Sequence, residues 1–149
     1  TYDYTSRNED PGPIAPVNWV HDVLAYAETV TSLDKVRMGL PFYGYSWLRN
    51  NPPSTAVTWA SAQRLIEAFE LEVLREPDTM EAHVLVDVPR LPDQTIYFAD
   101  ATQLEAKLAM VRADFPTLGG VAIWGLGGED PTNWDALRDV ETGACALAG

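Results

Sequence analysis

The chain has 149 residues, 46% apolar and 21% charged, which suits one ordinary domain with a packed core and excludes a disordered chain. Twenty-two acidic residues against ten basic give a net charge of -12. That argues against nucleic acid and anionic lipid, since no basic face can replace counterions, and no run of about 18 apolar residues exists to span a membrane.

The first residues are polar, with no initiator Met and no signal-like segment, so the chain is expected to begin inside a larger protein. Thr1-Tyr2-Asp3-Tyr4 reads as the end of a strand. Residues 5–16, with three prolines and a glycine, read as a loop. Pro16 suits the first turn of a helix running to about Val30, with Val20, Val23, Leu24, Ala27 and Val30 on one face. Lys35 to Trp47 alternates: Val36, Met38, Leu40 and Phe42 face one way, and Arg37, Gly39, Pro41 and Tyr43 the other. That is one strand, with irregular pairing expected at Pro41.

Arg49 to Ser54 reads as a loop, and Thr58 to Leu71 as a helix with Leu65, Ile66 and Phe69 as its stripe. Glu72–Leu74, His83–Val88 and Thr95–Phe98 are short strands between prolines. Thr102-Gln103-Leu104-Glu105 matches a capping box, opening a helix that presents Leu104, Leu108, Val111 and Phe115. Gly120 to Leu126 reads as the most buried strand, after a turn at Leu118-Gly119-Gly120. Asp130 and Pro131 then suit an N-cap and first helical position, with Trp134 and Leu137 facing inward. The small-residue tail Gly143 to Gly149 is expected to be loosely held. The order is strand, helix, strand, insertion, helix, strand, helix. It implies an α/β fold with a parallel sheet, interrupted where β/α barrels build active sites.

Little conventional chemistry is available. Cys145 is the only cysteine, so there is no internal disulfide and no thiolate zinc site. His21 and His83 lie far apart without metalloprotease spacing, and no G-x-S-x-G surrounds a serine. No cofactor and no metal is implied. What remains are three strand ends rich in aromatic and acidic groups: Tyr2-Asp3-Tyr4, Tyr43-Gly44-Tyr45 with Trp47, and Trp124 before Gly125. Aromatic faces at a barrel mouth suit the C–H faces of sugar rings, and Asp3 is the carboxylate best placed for their polar groups. Singly, each has a plain structural reading. Trp124, Tyr43 and Tyr45 could be core, and Asp3 could pair with Arg37. Glu129 and Asp130 could serve the helix start. His21 could be a bystander, and His83 has no evident partner.

Together, Thr1-Tyr-Asp-Tyr-Thr, Pro11-Gly-Pro-Ile-Ala-Pro, Lys35-Val-Arg-Met-Gly-Leu-Pro-Phe-Tyr-Gly-Tyr-Ser-Trp and Gly119-Gly-Val-Ala-Ile-Trp-Gly-Leu-Gly-Gly-Glu-Asp resemble glycoside hydrolase family 18. The resemblance runs from Thr1 to about Leu137 and is nearest the bacterial branch acting on spore and cell-wall glycans. It implies the C-terminal part, about the last three β/α units, of a TIM-type (β/α)8 barrel. Residues 1–48 would hold barrel strands six and seven with the helix between them. Residues 49–101 would form a small α+β insertion subdomain, and 102–149 the last barrel helix, strand eight and a C-terminal helix and tail.

The resemblance also implies cleavage of β-1,4 bonds in N-acetylglucosamine-containing polymers, chitin or peptidoglycan, by substrate assistance. Tyr2 would hydrogen-bond the acetamido group and Asp3 would hold it for attack. Tyr43, Tyr45, Trp47 and Trp124 would bind the sugar. An extracellular, cell-wall or spore location follows from the family. Two departures stand out. Many family chitinases carry Y-G-R where this chain has Tyr43-Gly44-Tyr45, and the D-x-x-D-x-D-x-E segment with the catalytic acid is absent. The chain alone is therefore expected to be inactive, its open edges pairing with the missing N-terminal part of the barrel or another copy. A lectin-like relative that binds glycan without cutting it is the alternative, and a structural cell-wall module is a third.

Overall fold

The computed structural model describes residues 1–138; Cys145 and the tail 143–149 lie outside the described residues. Helix α1 (Val17–Val30) follows Pro16, which stands one residue before the first helical position, in extended conformation. A missing N–H is harmless at a helix start. Val20 and Leu24 are buried, while Val30, at the end, is 62% exposed. A 3-10 turn (Leu33–Lys35) leads into β1 (Met38–Pro41).

The single strand expected from Lys35 to Trp47 is two strands. β1 lies parallel to β7 (Val121–Trp124), in register from Met38 beside Val121 to Pro41 beside Trp124. β2 (Gly44–Leu48) belongs to another sheet. The hand-over takes two residues: the Phe42 amide donates to the Trp124 carbonyl, and the Tyr43 carbonyl accepts from Ala99 at 3.2 Å. Pro41 fits because alternate residues, Met38 and Phe42 among them, donate toward β7, so its missing N–H faces the other edge.

That second sheet runs in the spatial order β3 (Thr55–Val57), β2, β6 (Gln94–Phe98), β5 (Ala82–Val86), β4 (Leu74–Arg75), all antiparallel. β3 was not signalled by the sequence. Helix α2 (Trp59–Phe69) packs on this sheet through Ala62, Leu65 and Ile66, while Phe69 is 40% exposed. The second core comprises Ala62, Ala82, Val84, Val86, Ile96 and Phe98. The first lies between α1, β1 and α3 (Ala101–Asp114), around Val20, Leu24, Met38, Leu40, Leu104 and Leu108.

Three other expectations are corrected. The N-cap of α3 is Asp100, whose carboxylate accepts from the Gln103 amide at 3.0 Å, so Thr102 is already inside the helix. Asp100 is also gripped by Arg75, which holds it at the cap. β7 is half-exposed rather than the most buried strand. Val121 and Ile123 pack on the first core, while Ala122 and Trp124, alternating onto the opposite face of the strand, are exposed. Residues 1–3 form no strand; side chains hold them, Thr1 Oγ1 donating to the Gly39 carbonyl at 2.6 Å.

A buried polar knot fastens the pieces. The Glu81 carboxylate accepts from the amides of Ile14 and Ala15, both at 2.9 Å, and from Gln103 Nε2 at 3.0 Å. It thereby ties the N-terminal loop and α3 to the edge of β5.

Candidate functional site

In an extended chain every second side chain shares a face, so Tyr43, Tyr45 and Trp47 form one aromatic stripe. Tyr43 and Tyr45 rings lie 5.5 Å apart, and Trp47 meets Tyr45 edge-on at 5.9 Å. The stripe starts at a cleft and ends in the core. At the cleft end, Tyr43 and Tyr45 donate their phenol protons to Asp3 Oδ1 at 2.6 and 3.1 Å. Asp3 Oδ2 accepts from no group among the described residues.

These three residues share a cleft of about 470 Å³ with Arg7, Trp124 and the turn Gly125–Gly128. Trp124 is 69% exposed and is joined to Gly125 by a cis peptide bond. A larger groove runs along Tyr4, Asn8 and Glu9 but includes neither Asp3 nor Trp124.

Both phenols are held above the ordinary tyrosine range. For Tyr43 burial acts first, then the hydrogen bond to Asp3 and its charge; for Tyr45 burial acts first, then the Asp3 charge. Protonated phenols are firm donors that fix the orientation of the carboxylate.

Of the sequence-predicted site residues, Asp3, Tyr43, Tyr45 and Trp124 come together. Tyr2 sits beside them: its phenol donates to the Ala122 carbonyl at 3.0 Å. Its ring lies against Gly39, where a Cβ would fall 2.7 Å from it, so the small residue there makes room for the ring. Trp47 is a correction. It is fully buried, with its indole N–H donating to the Glu9 carbonyl at 2.7 Å, and its ring presents no face to the cleft.

The bystanders also find places. Asp3 does not pair with Arg37, whose guanidinium donates to the Asp34 and Val36 carbonyls. His83 stacks on Tyr97, its cross-strand partner, at 4.7 Å. His21 lies against Phe115 and near Asp22 and Asp114. Glu129 accepts from Gly127 N and Trp134 Nε1. Asp130 accepts from Thr132 N and from Ala101 N, and helical conformation begins at 133. No group of three or more potential metal ligands occurs among the described residues. Arg7 lines the cleft without belonging to any motif; its only sequence signal is a cation four positions after Asp3.

No family model matches the chain. Over 141 residues, 92% of the chain, it is 25% identical to the cortical fragment-lytic enzyme of Bacillus cereus, of which it covers 32%. Among solved structures it superposes on the spore cortex-lytic enzyme SleL of Bacillus cereus with a TM-score of 0.85 at 26% identity, covering 94% of this chain and 34% of that one. A chitinase from Chromobacterium violaceum gives a TM-score of 0.83 at 27% identity, with 94% and 43% covered. The chain thus spans about a third of the length of the curated relatives it matches. These likenesses bear out the resemblance to chitinase-like glycosidases and to their spore and cell-wall branch. The fold is mixed α/β and corresponds to part of a larger glycosidase chain.

Proposed function

We propose that this chain is the substrate-binding, C-terminal portion of a glycoside hydrolase, about the last three β/α units of a barrel with an α+β subdomain inserted. The parent enzyme cleaves β-1,4 bonds beside N-acetylglucosamine-type sugars in peptidoglycan or chitin, at the cell wall or spore. The observation that carries this reading is one constellation: an exposed Trp124 sharing a cleft with a carboxylate that two phenols orient by one oxygen, leaving the other oxygen open.

The sugar's C–H face lies on Trp124. Asp3 Oδ2 takes the acetamido N–H, and Tyr2 hydrogen-bonds the same group. The acetamido carbonyl oxygen, so fixed, attacks the anomeric carbon. The glycosidic C–O bond breaks, and the leaving oxygen takes a proton from an acid outside this chain. Water then opens the cyclic oxazolinium ion with net retention. Intramolecular positioning supplies much of the rate.

Asp3 is the only carboxylate lining the cleft among the described residues. The described residues therefore lack a leaving-group acid, worth about 100- to 10,000-fold, and the chain by itself is expected to be inactive. That single carboxylate equally suits a glycan-binding relative without turnover, the second reading. The test is release of reducing ends from N-acetylglucosamine polymers by the full-length protein that carries this chain. Asp3→Asn should lower kcat roughly a hundredfold, and Trp124→Ala should raise KM about tenfold or more. Glycan binding lost in Trp124→Ala, with no turnover in the wild type, selects the second reading. Unchanged binding and turnover in both variants would sink both readings.

A further inference from the structure

Arg7 is the one cation lining the cleft. Its position is fixed from both ends: its carbonyl accepts from the Ser54 amide at 2.8 Å, and its Nε and Nη2 donate back to the Ser54 carbonyl at 3.2 and 3.0 Å. This reciprocal clasp joins the N-terminal loop to the loop before β3. It uses two of the five guanidinium N–H groups and leaves three. No carboxylate forms an ion pair with Arg7 among the described residues, although acidic side chains outnumber basic ones more than two to one in the chain. Its charge is felt inside the cleft, where it opposes the upward push that burial and Asp3 exert on Tyr45.

A carbonyl neutralises nothing, so the guanidinium keeps its full charge while its orientation is already set. Such a group favours a carboxylate over a hydroxyl or amide, because charge-assisted hydrogen bonds are about twice as strong as neutral ones. Preorganisation by Ser54 means that little further ordering is needed on binding. Chitin is neutral along its whole length. A glycan whose alternate sugars carry a lactyl ether, with or without an attached peptide, presents carboxylates at regular intervals.

We infer that Arg7 forms an anion subsite of the cleft, which takes a carboxylate borne by the glycan and so selects peptidoglycan-type chains over chitin. This rests on the cleft being the glycan site. It adds a residue that contacts a substituent of the sugar rather than the reacting atoms.

The test is calorimetric binding to the full-length protein. The probes are a tetramer of alternating N-acetylglucosamine and N-acetylmuramic acid with free lactyl carboxylates, its methyl ester, the same tetramer bearing stem peptides, and chitotetraose. The wild type should prefer the free acid to its ester roughly tenfold or more, and the preference should shrink as salt is raised. Arg7→Gln should bring the ratio close to one. Arg7→Lys, which keeps the charge without the fork, should retain part of it. A preference for the peptide-bearing tetramer alone, lost in Arg7→Gln, would assign the carboxylate to the peptide and still support the subsite. Equal binding of acid, ester and peptide-bearing tetramer by the wild type overturns the inference without any variant. So does a ratio unchanged in Arg7→Gln. In either case, weakening of all four probes by Trp124→Ala leaves the cleft reading standing. If Trp124→Ala weakens none, the cleft reading falls and the subsite with it.

Discussion

Asp3 accepts two phenol hydrogen bonds on one oxygen, and this arrangement has a spectroscopic signature. Tyr43 is held above the ordinary tyrosine range first by burial and then by its hydrogen bond to the Asp3 carboxylate. The sign follows directly: as pH rises past the ordinary tyrosine range, the unfolded chain releases a proton that the folded chain keeps. That part of the stability is therefore present below the range and is lost above it. Asp3→Asn removes the negative charge and leaves burial in place. Phenolate absorbance in an alkaline titration should then show two tyrosines, Tyr43 and Tyr45, ionising at lower pH than in the wild type. No difference between the two titrations would mean that the phenol–carboxylate bond is not formed. Asp3, Tyr43 and Trp124 were legible as candidates because they recur at strand ends. Trp47 was misread because alternation gives the face a residue shares with its neighbours, not how far along that face the cleft extends.

For helix α3 the start signal in the sequence named the wrong residue. Thr102 to Glu105 has the capping-box letters, yet Asp100 caps the helix, because Arg75 reaches it from β4 through both nitrogens of its fork. The pair is largely shielded, with side chains 21% and 12% exposed. Asp100→Ala should cost about 2–4 kcal/mol, the sum of a lost cap and lost charge-assisted bonds. Thr102→Ala, at an exposed position, should change stability by less than about 0.5 kcal/mol. Urea midpoints at neutral pH distinguish the two, and equal losses would return the cap to Thr102. Helix existence was legible from periodicity, whereas the cap depended on a partner 25 residues away. The division between β1 and β2 escaped the sequence for a related reason. Alternation continues unbroken through Phe42 and Tyr43 while the backbone changes sheets beneath it.

Across the whole molecule, the two cores are joined through charges that burial disfavours. Lys107 on α3 is 1% exposed, and burial lowers its pKa to about 8, with Glu81 and then Asp100 pulling the other way. Glu81 is pushed up by burial, against the pull of Lys107 and its three donors. Between about pH 8 and the ordinary lysine value, the unfolded chain binds a proton that the folded chain has released. The Lys107 contribution therefore makes stability rise with pH through that window. Lys107→Met cannot titrate and should lose that rise. Urea midpoints of both proteins at several pH values across the window check it, and parallel curves would refute it. The knot was not legible, because a lone Lys or Glu in sequence reads as a solvated face.

By itself the sequence determined the class of fold, the order of most elements and the aromatic and acidic candidates at the strand ends. Those follow from local periodicity, turn chemistry and motif spacing, each set within a few residues of chain. Tertiary structure alone decided that Trp47 is core and Trp124 an exposed platform. It also decided that Asp100 caps α3 and that Arg7 enters the cleft through Ser54. Each of these depends on a partner far away in the chain, and burial and charge pairing are set by what the fold brings near.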